Sequence, residues 1–166
     1  MVRCLRAGTV GRTEKICTTV AICFAEPIRT PSAFFETGLA QKVGVAAFAA
    51  QLDPNLDELG DIKTAVSEAV TNCIVHAYRD TIGTISLKCR ILPGSILDII
   101  VKDRGCGIAD VAQARTPMYS TGGDDRSGMG FTIMESFMTE LRVTSTPGKG
   151  TTVHMKRKIV RRGEKA

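Results

Sequence analysis

The sequence predicts an α+β domain, and three observations carry that expectation. Two helical periods come first, at 38–51 and 56–78. A hairpin of two apolar strands follows, and a second strand pair comes later behind a glycine-rich stretch and one more helix. Helices and antiparallel strands grouped in this way, without regular alternation of strand and helix, are the mark of an α+β sheet-and-helix arrangement. The 166 residues are about the size of one domain, expected to span 16–158, with a disordered extension at 1–15 and a basic tail at 159–166.

Arg3, Arg6, Arg12 and Lys15 precede an apolar stretch from Ile16 to Ala25, which loosely imitates a secretory signal. Thr18 and Thr19 interrupt that stretch and Glu14 precedes it, so a first strand, Ile16 to Phe24, is an equally good reading. From Gly38 to Gln51, the apolar residues Leu39, Val43, Ala46, Ala47 and Ala50 describe an amphipathic helix. Leu52-Asp53-Pro54-Asn55 breaks it, because proline and its neighbour resist helical backbone. A longer helix, Leu56 to Tyr78, carries the stripe Leu59, Ile62, Ala65, Val66, Ala69, Val70, Cys73. Gly83 to Ile91 and Ser95 to Asp103 read as strands joined by the turn Leu92-Pro93-Gly94-Ser95. Gly130 opens a helix to about Glu140, and Leu141 to Thr146 with Thr151 to Lys158 closes the chain as a strand pair.

Composition excludes several classes of function. Apolar residues are 43% and charged residues 23%, with no run long enough to span a bilayer, so no membrane partner is expected. The six cysteines lie far apart with no C-x-x-C pair, so neither a zinc site nor a small disulfide framework is expected, and they read as reduced thiols in a cytoplasm. Of the net charge of +5, the ends hold most: residues 1–15 and 156–166 contain ten of the 22 Lys and Arg. The body between them carries twelve bases against fifteen acids, so direct nucleic-acid binding is not expected. The basic residues from Lys156 to Arg162 read as a solvated tail, with phosphate contact as the other reading.

Three groups of residues suggest chemistry. Glu68, Asn72 and His76, spaced by four, stack in one polar column at the edge of the apolar stripe. A carboxylate there suits a general base, and the amide oxygen beside it suits a Mg²⁺ ligand; a solvated helix flank has the same spacing. Asp103-Arg104-Gly105-Cys106-Gly107-Ile108 ends an apolar strand, so Asp103 is expected to be partly buried and able to accept from an exocyclic amine. Gly105 and Gly107 would let a planar ring approach the backbone, although D-x-G-x-G alone also fits a plain turn. Arg126-Ser127-Gly128-Met129-Gly130 runs into a helix, which aims backbone N–H groups at an anion such as phosphate; a surface loop is the other reading. No G-x-x-x-x-G-K-[ST] is present, and this G-x-G lacks the strand and acid of a dinucleotide fold.

In their order, these groups resemble the boxes of the GHKL, or Bergerat, ATPase superfamily. Ser67 to Asn72 looks like its N box, Asp103-x-Gly105-x-Gly107 its first glycine box, Gly128-Met129-Gly130 its second and Gly150-Thr151-Thr152 its last. Within the superfamily, 49–76 and 127–135 resemble the anti-sigma F factors of spore-forming bacteria, over roughly 35–158. The resemblance implies a two-layer sandwich with a mixed, mostly antiparallel sheet, helices on one face and ATP between the long helix and a lid at about 109–127. It implies Glu68 as general base, Asn72 as Mg²⁺ ligand, Asp103 as reader of the adenine amine and Thr151 beside it. Arg126, Ser127, Gly128 and Gly130 would hold phosphates. It further implies a homodimer that binds sigma F and phosphorylates a serine of an anti-anti-sigma factor. A stress-response anti-sigma kinase would share the nucleotide residues, and an ATP-dependent sigma-binding module would lack only transfer. A sensor histidine kinase would bring a phosphoacceptor histidine, whereas His76 and His154 fall in the N-box helix and the last strand.

Overall fold

A computed structural model of the chain describes residues 2–8, 17–22, 43–78, 83–117 and 128–160. Strands β1 (Val2–Gly8) and β2 (Cys17–Ile22) pair antiparallel. Strand β2 falls inside the predicted Ile16 to Phe24, but β1 lies in the stretch expected as a disordered extension.

Helix α1 is described over 43–49 and tightens into a 3-10 turn, Ala50–Leu52, with Asp53 left-handed at φ 51°. Helix α2, Leu56–Asn72, begins at a capping box: Asn55 Oδ1 accepts Glu58 N–H at 2.8 Å and Glu58 Oε2 accepts Asn55 N–H at 3.0 Å. Two otherwise unpaired donors are thereby satisfied. The α-helix then widens into a π turn, Cys73–Ala77, where the sequence predicted one helix to Tyr78. Carbonyls of that turn serve Cys106 instead: its thiol donates to His76 O at 3.0 Å and its N–H to Ala77 O at 3.3 Å.

The larger sheet comprises β3 (Ser86–Leu92), β4 (Ile96–Lys102), β5 (Glu140–Thr146) and β6 (Gly150–Lys158), in the order β3-β4-β6-β5. Every pairing among the described strands is antiparallel, in keeping with the mostly antiparallel sheet expected. The β3–β4 turn works because Gly94 and Ser95 accept positive φ, 83° and 58°.

Period two divides the sheet into faces. Leu87, Cys89, Leu97, Ile99, Val101, Val153 and Met155 are buried against Ile62, Ala65, Val66, Ala69 and Val70 of α2 and Met134 of α4 (Gly130–Phe137). Ala65 and Ala69 let α2 lie close to the strands, and truncating fully buried Ile62 to Ala would cost about 2–5 kcal/mol. The opposite face carries Arg90, Asp98, Lys156 and Glu140 in one cross-strand row. Buried Asp98 accepts from Arg90 Nε at 2.7 Å and is bonded to His154.

The fold continues past Lys158. Ile159 is buried and donates to Ser95 O at 2.9 Å, and Val160 N–H reaches Glu58 Oε1 at 3.2 Å. Lys156 pairs with Glu140 and Arg157 with Asp61, so the start of the supposed solvated tail belongs to the sheet. The remaining tail, 161–166, lies outside the described residues.

Candidate active site

The last turns of α2 bring Glu68 and Asn72 to the start of α4. A Cβ added at Gly130 would stand 3.1 Å from Glu68 Oε2 and 3.4 Å from both Asn72 side-chain termini. Gly130 therefore stands against the Glu68 and Asn72 side chains, and the polar column faces another element as well as solvent. His76 belongs to the π turn, so the four-residue column changes pitch before its third member. The N-cap residue of α4, Met129, makes no side-chain cap hydrogen bond, and the first N–H groups of a helix, which have no intrahelical acceptor, suit an anion. Gly128, with φ 61°, shapes the approach to it. Arg126 and Ser127 lie outside the described residues.

Asp103 continues the core-facing register of β4 and is 2% exposed. Its Oδ1 accepts the N–H groups of Gly105 at 2.9 Å and Thr151 at 3.1 Å. Its Oδ2 has the Cys73 thiol at 3.6 Å, a loose contact that leaves acceptor capacity on that oxygen. Burial, then the charge and hydrogen bonding of Asp103, push the Cys73 thiol well above the ordinary thiol range. Cys73 is therefore a neutral spacer beside the carboxylate.

The first glycine box is glycine-rich because the protein's own backbone crowds it. A Cβ at Gly105 would lie 2.3 Å from Ala77 O, and one at Gly107, where φ is 71°, 2.2 Å from Thr146 O. The loop is held tightly against the π turn and the β5–β6 turn, which fixes where Asp103 points. Tyr78 adds a clasp: its hydroxyl accepts Arg104 N–H at 2.7 Å and donates to Thr84 O at 2.9 Å. Burial raises its phenol, opposed by the Arg104 N–H.

Thr151 is buried beside Asp103, and Ser145 stands opposite it on β5 with the two hydroxyl oxygens 2.9 Å apart. Of the expected lid, 109–117 is described. Asp110 caps a short helix α3, Val111–Ala114, and Arg115 bonds Glu135 of α4 at 2.8 Å. Residues 118–127 lie outside the described set. Cys73, Tyr78 and Ser145 were not read as site residues from sequence. Cys73 fits the apolar stripe, and Ser145 is one of several hydroxyl residues in a half-exposed strand.

The Histidine kinase-like ATPase domain family matches residues 39–157. The chain is 58% identical over 118 residues to an anti-sigma F factor of Caldanaerobacter subterraneus, spanning 70% of this chain and 82% of that one. It is 51% identical over 122 residues to an anti-sigma F factor of Geobacillus kaustophilus, spanning 72% and 83%. In fold it resembles the histidine kinase domain of the Erythrobacter litoralis EL346 blue-light activated histidine kinase, with TM-score 0.52 and 22% identity over 92% of this chain and 66% of that one. The sandwich, the boxes in order and these matches agree: the chain belongs to the histidine kinase-like ATPase domain family and, within it, to the anti-sigma F factors.

Proposed function

We propose that this protein uses Mg-ATP to phosphorylate a serine of an anti-anti-sigma factor, and that as a homodimer in the cytoplasm it sequesters sigma F. The observation that carries the reading is the meeting of Glu68 and Asn72 with the start of α4 at Gly130. A hydroxyl brought there finds a carboxylate base, while phosphate oxygens find backbone donors and the positive helix end.

The residues fit the nucleotide. Asp103 holds one oxygen in backbone hydrogen bonds and keeps acceptor capacity on the other for a 6-amino group. Thr151 lines the same end of the sheet. Asn72 would hold Mg²⁺, whose charge would neutralise phosphate oxygens when bound. Gly128 and Gly130, with Arg126 and Ser127, would hold the phosphates, and 109–127 would cover them. Phosphoryl transfer asks mainly for positioning and charge neutralisation, which this set of groups supplies. Glu68 then takes the serine proton through Oε2.

The test is incubation with Mg²⁺, γ-labelled ATP and a candidate anti-anti-sigma protein. Label on a partner serine is expected. ATP binding without transfer to any such partner would reduce the protein to a nucleotide-dependent sequestering module.

A further inference from the structure

Arg157 places a charge at an inward-facing position of the sheet. Thr151, Val153 and Met155 are buried on the core side of β6, and at period two the next residue on that side is Arg157. A cation there costs free energy unless its donors are met. Two partners meet them: Nη1 donates to the Phe137 carbonyl at the C-terminal end of α4, and Nη2 donates to Asp61 Oδ2 of α2 at 3.1 Å. The Phe137 oxygen is among the last carbonyls of α4, which lack acceptor duty within a helix and carry its negative end. Bonds on either side hold the same helix end to the same strand. Thr139 N–H donates to Lys156 O at 2.8 Å, and Thr139 Oγ1 accepts Lys158 N–H at 3.1 Å.

The guanidinium thus joins α2 and α4 at one end, while Glu68 and Asn72 stand against Gly130 at the other. The two helices run antiparallel between these points, and the intervals match: Asp61 to Glu68 is seven residues of α2, and Phe137 to Gly130 is seven residues of α4. At 1.5 Å per residue each interval is about 10.5 Å, so a tie at one end sets the register at the other. Ala65 of α2 and Met134 of α4 lie within these intervals and are fully buried, but apolar burial is non-directional. A planar guanidinium fork is directional, and it can hold two acceptors in one fixed geometry. We infer that Arg157 is a positioning residue, which by joining Asp61 to the C-terminal end of α4 sets the register of α4 on α2 and so places the start of α4, at Gly130, for the phosphates of the nucleotide. This rests on the reading of that helix start as the phosphate end of the site.

The experiment is titration of the full chain, in Mg²⁺, with ATP and with adenosine, for wild type, Arg157→Met, Asp61→Ala and the double variant, with a thermal melt of each. Wild type should bind ATP more tightly than adenosine. Arg157→Met keeps an apolar stem and removes the fork; it should shrink the ATP-to-adenosine affinity ratio by about fivefold, the scale of one hydrogen bond, through ATP alone. Asp61→Ala should shrink the ratio in the same direction, and the double variant should differ from Arg157→Met by less than about twofold, since the two residues act as one unit. A lower melting temperature with an unchanged ratio in both single variants would make the ion pair a structural contact only and overturn the inference, leaving the nucleotide site intact. An equal loss of both affinities overturns it in the same way. Should Arg157→Met not fold, Asp61→Ala decides: a smaller ratio supports the inference and an unchanged one overturns it. Wild type that binds adenosine as tightly as ATP overturns the phosphate-end reading and the inference with it.

Discussion

Gly130 stands against Glu68: a Cβ there would be 3.1 Å from the carboxylate Oε2, so the carboxylate would have to give by a few tenths of an ångström. This proximity sets Glu68, the proposed base, against the start of α4, and it separates stability from activity. Gly130 lies at the first position of α4 and needs no positive φ. Gly130→Ala should therefore leave the melting temperature unchanged or slightly raised, because Ala is the better helix former by up to about 1 kcal/mol. Phosphotransfer should fall by at least about tenfold, since the carboxylate must shift to make room. Thermal melts and single-turnover assays on the same preparation check both halves.

Asp103→Asn keeps the carbonyl oxygen for the N–H groups of Gly105 and Thr151 but sets an amide donor where Oδ2 was. Donor then faces the Cys73 thiol and any 6-amino group. ATP affinity should drop by about ten- to a hundredfold, the scale of a lost hydrogen bond to a charged group. The Cys73 thiol should also ionise at lower pH, because the Asp103 charge is one cause of its elevation. Calorimetric titration and the pH dependence of thiol alkylation measure the two effects.

Cys89 gives a pH prediction. Burial, then the charge of Asp98, push its thiol from 9.0 up to about 12. The folded state keeps the proton where the unfolded chain loses it. Stability from this group is therefore complete below about pH 9 and declines as pH rises toward 12, by up to about 1.4 kcal/mol per pH unit. Cys89→Ala should lower stability at neutral pH through lost packing, yet flatten the decline above pH 9. Denaturant melts from pH 8 to pH 11 test the difference in slope.

Element types and order were legible because the periods are strong: α2 and the four strands of the larger sheet lie within a few residues of where apolar spacing set them. The burial of Asp103 was legible because it ends an apolar strand, and the place of Glu68 and Asn72 because they sit at the edge of an apolar stripe. The π turn was not, since an extra residue in one helical turn depends on what its carbonyls meet, here Cys106. The reason for Gly105 was read as ligand approach, whereas Ala77 O crowds that position. Ser145 was hidden because its three partners converge from a loop and a neighbouring strand. The capping box of Asn55 and Glu58 was not read from the sequence, and the Val160 N–H on Glu58 Oε1 comes from about a hundred residues away.

The most direct test of the account compares wild type with Glu68→Gln, loaded with Mg-ATP and mixed with an anti-anti-sigma protein in a single turnover. The account predicts labelled serine from wild type, near-equal ATP affinity in both proteins, and transfer slower by about 10²- to 10⁴-fold in Glu68→Gln. Transfer at the wild-type rate by Glu68→Gln would contradict it.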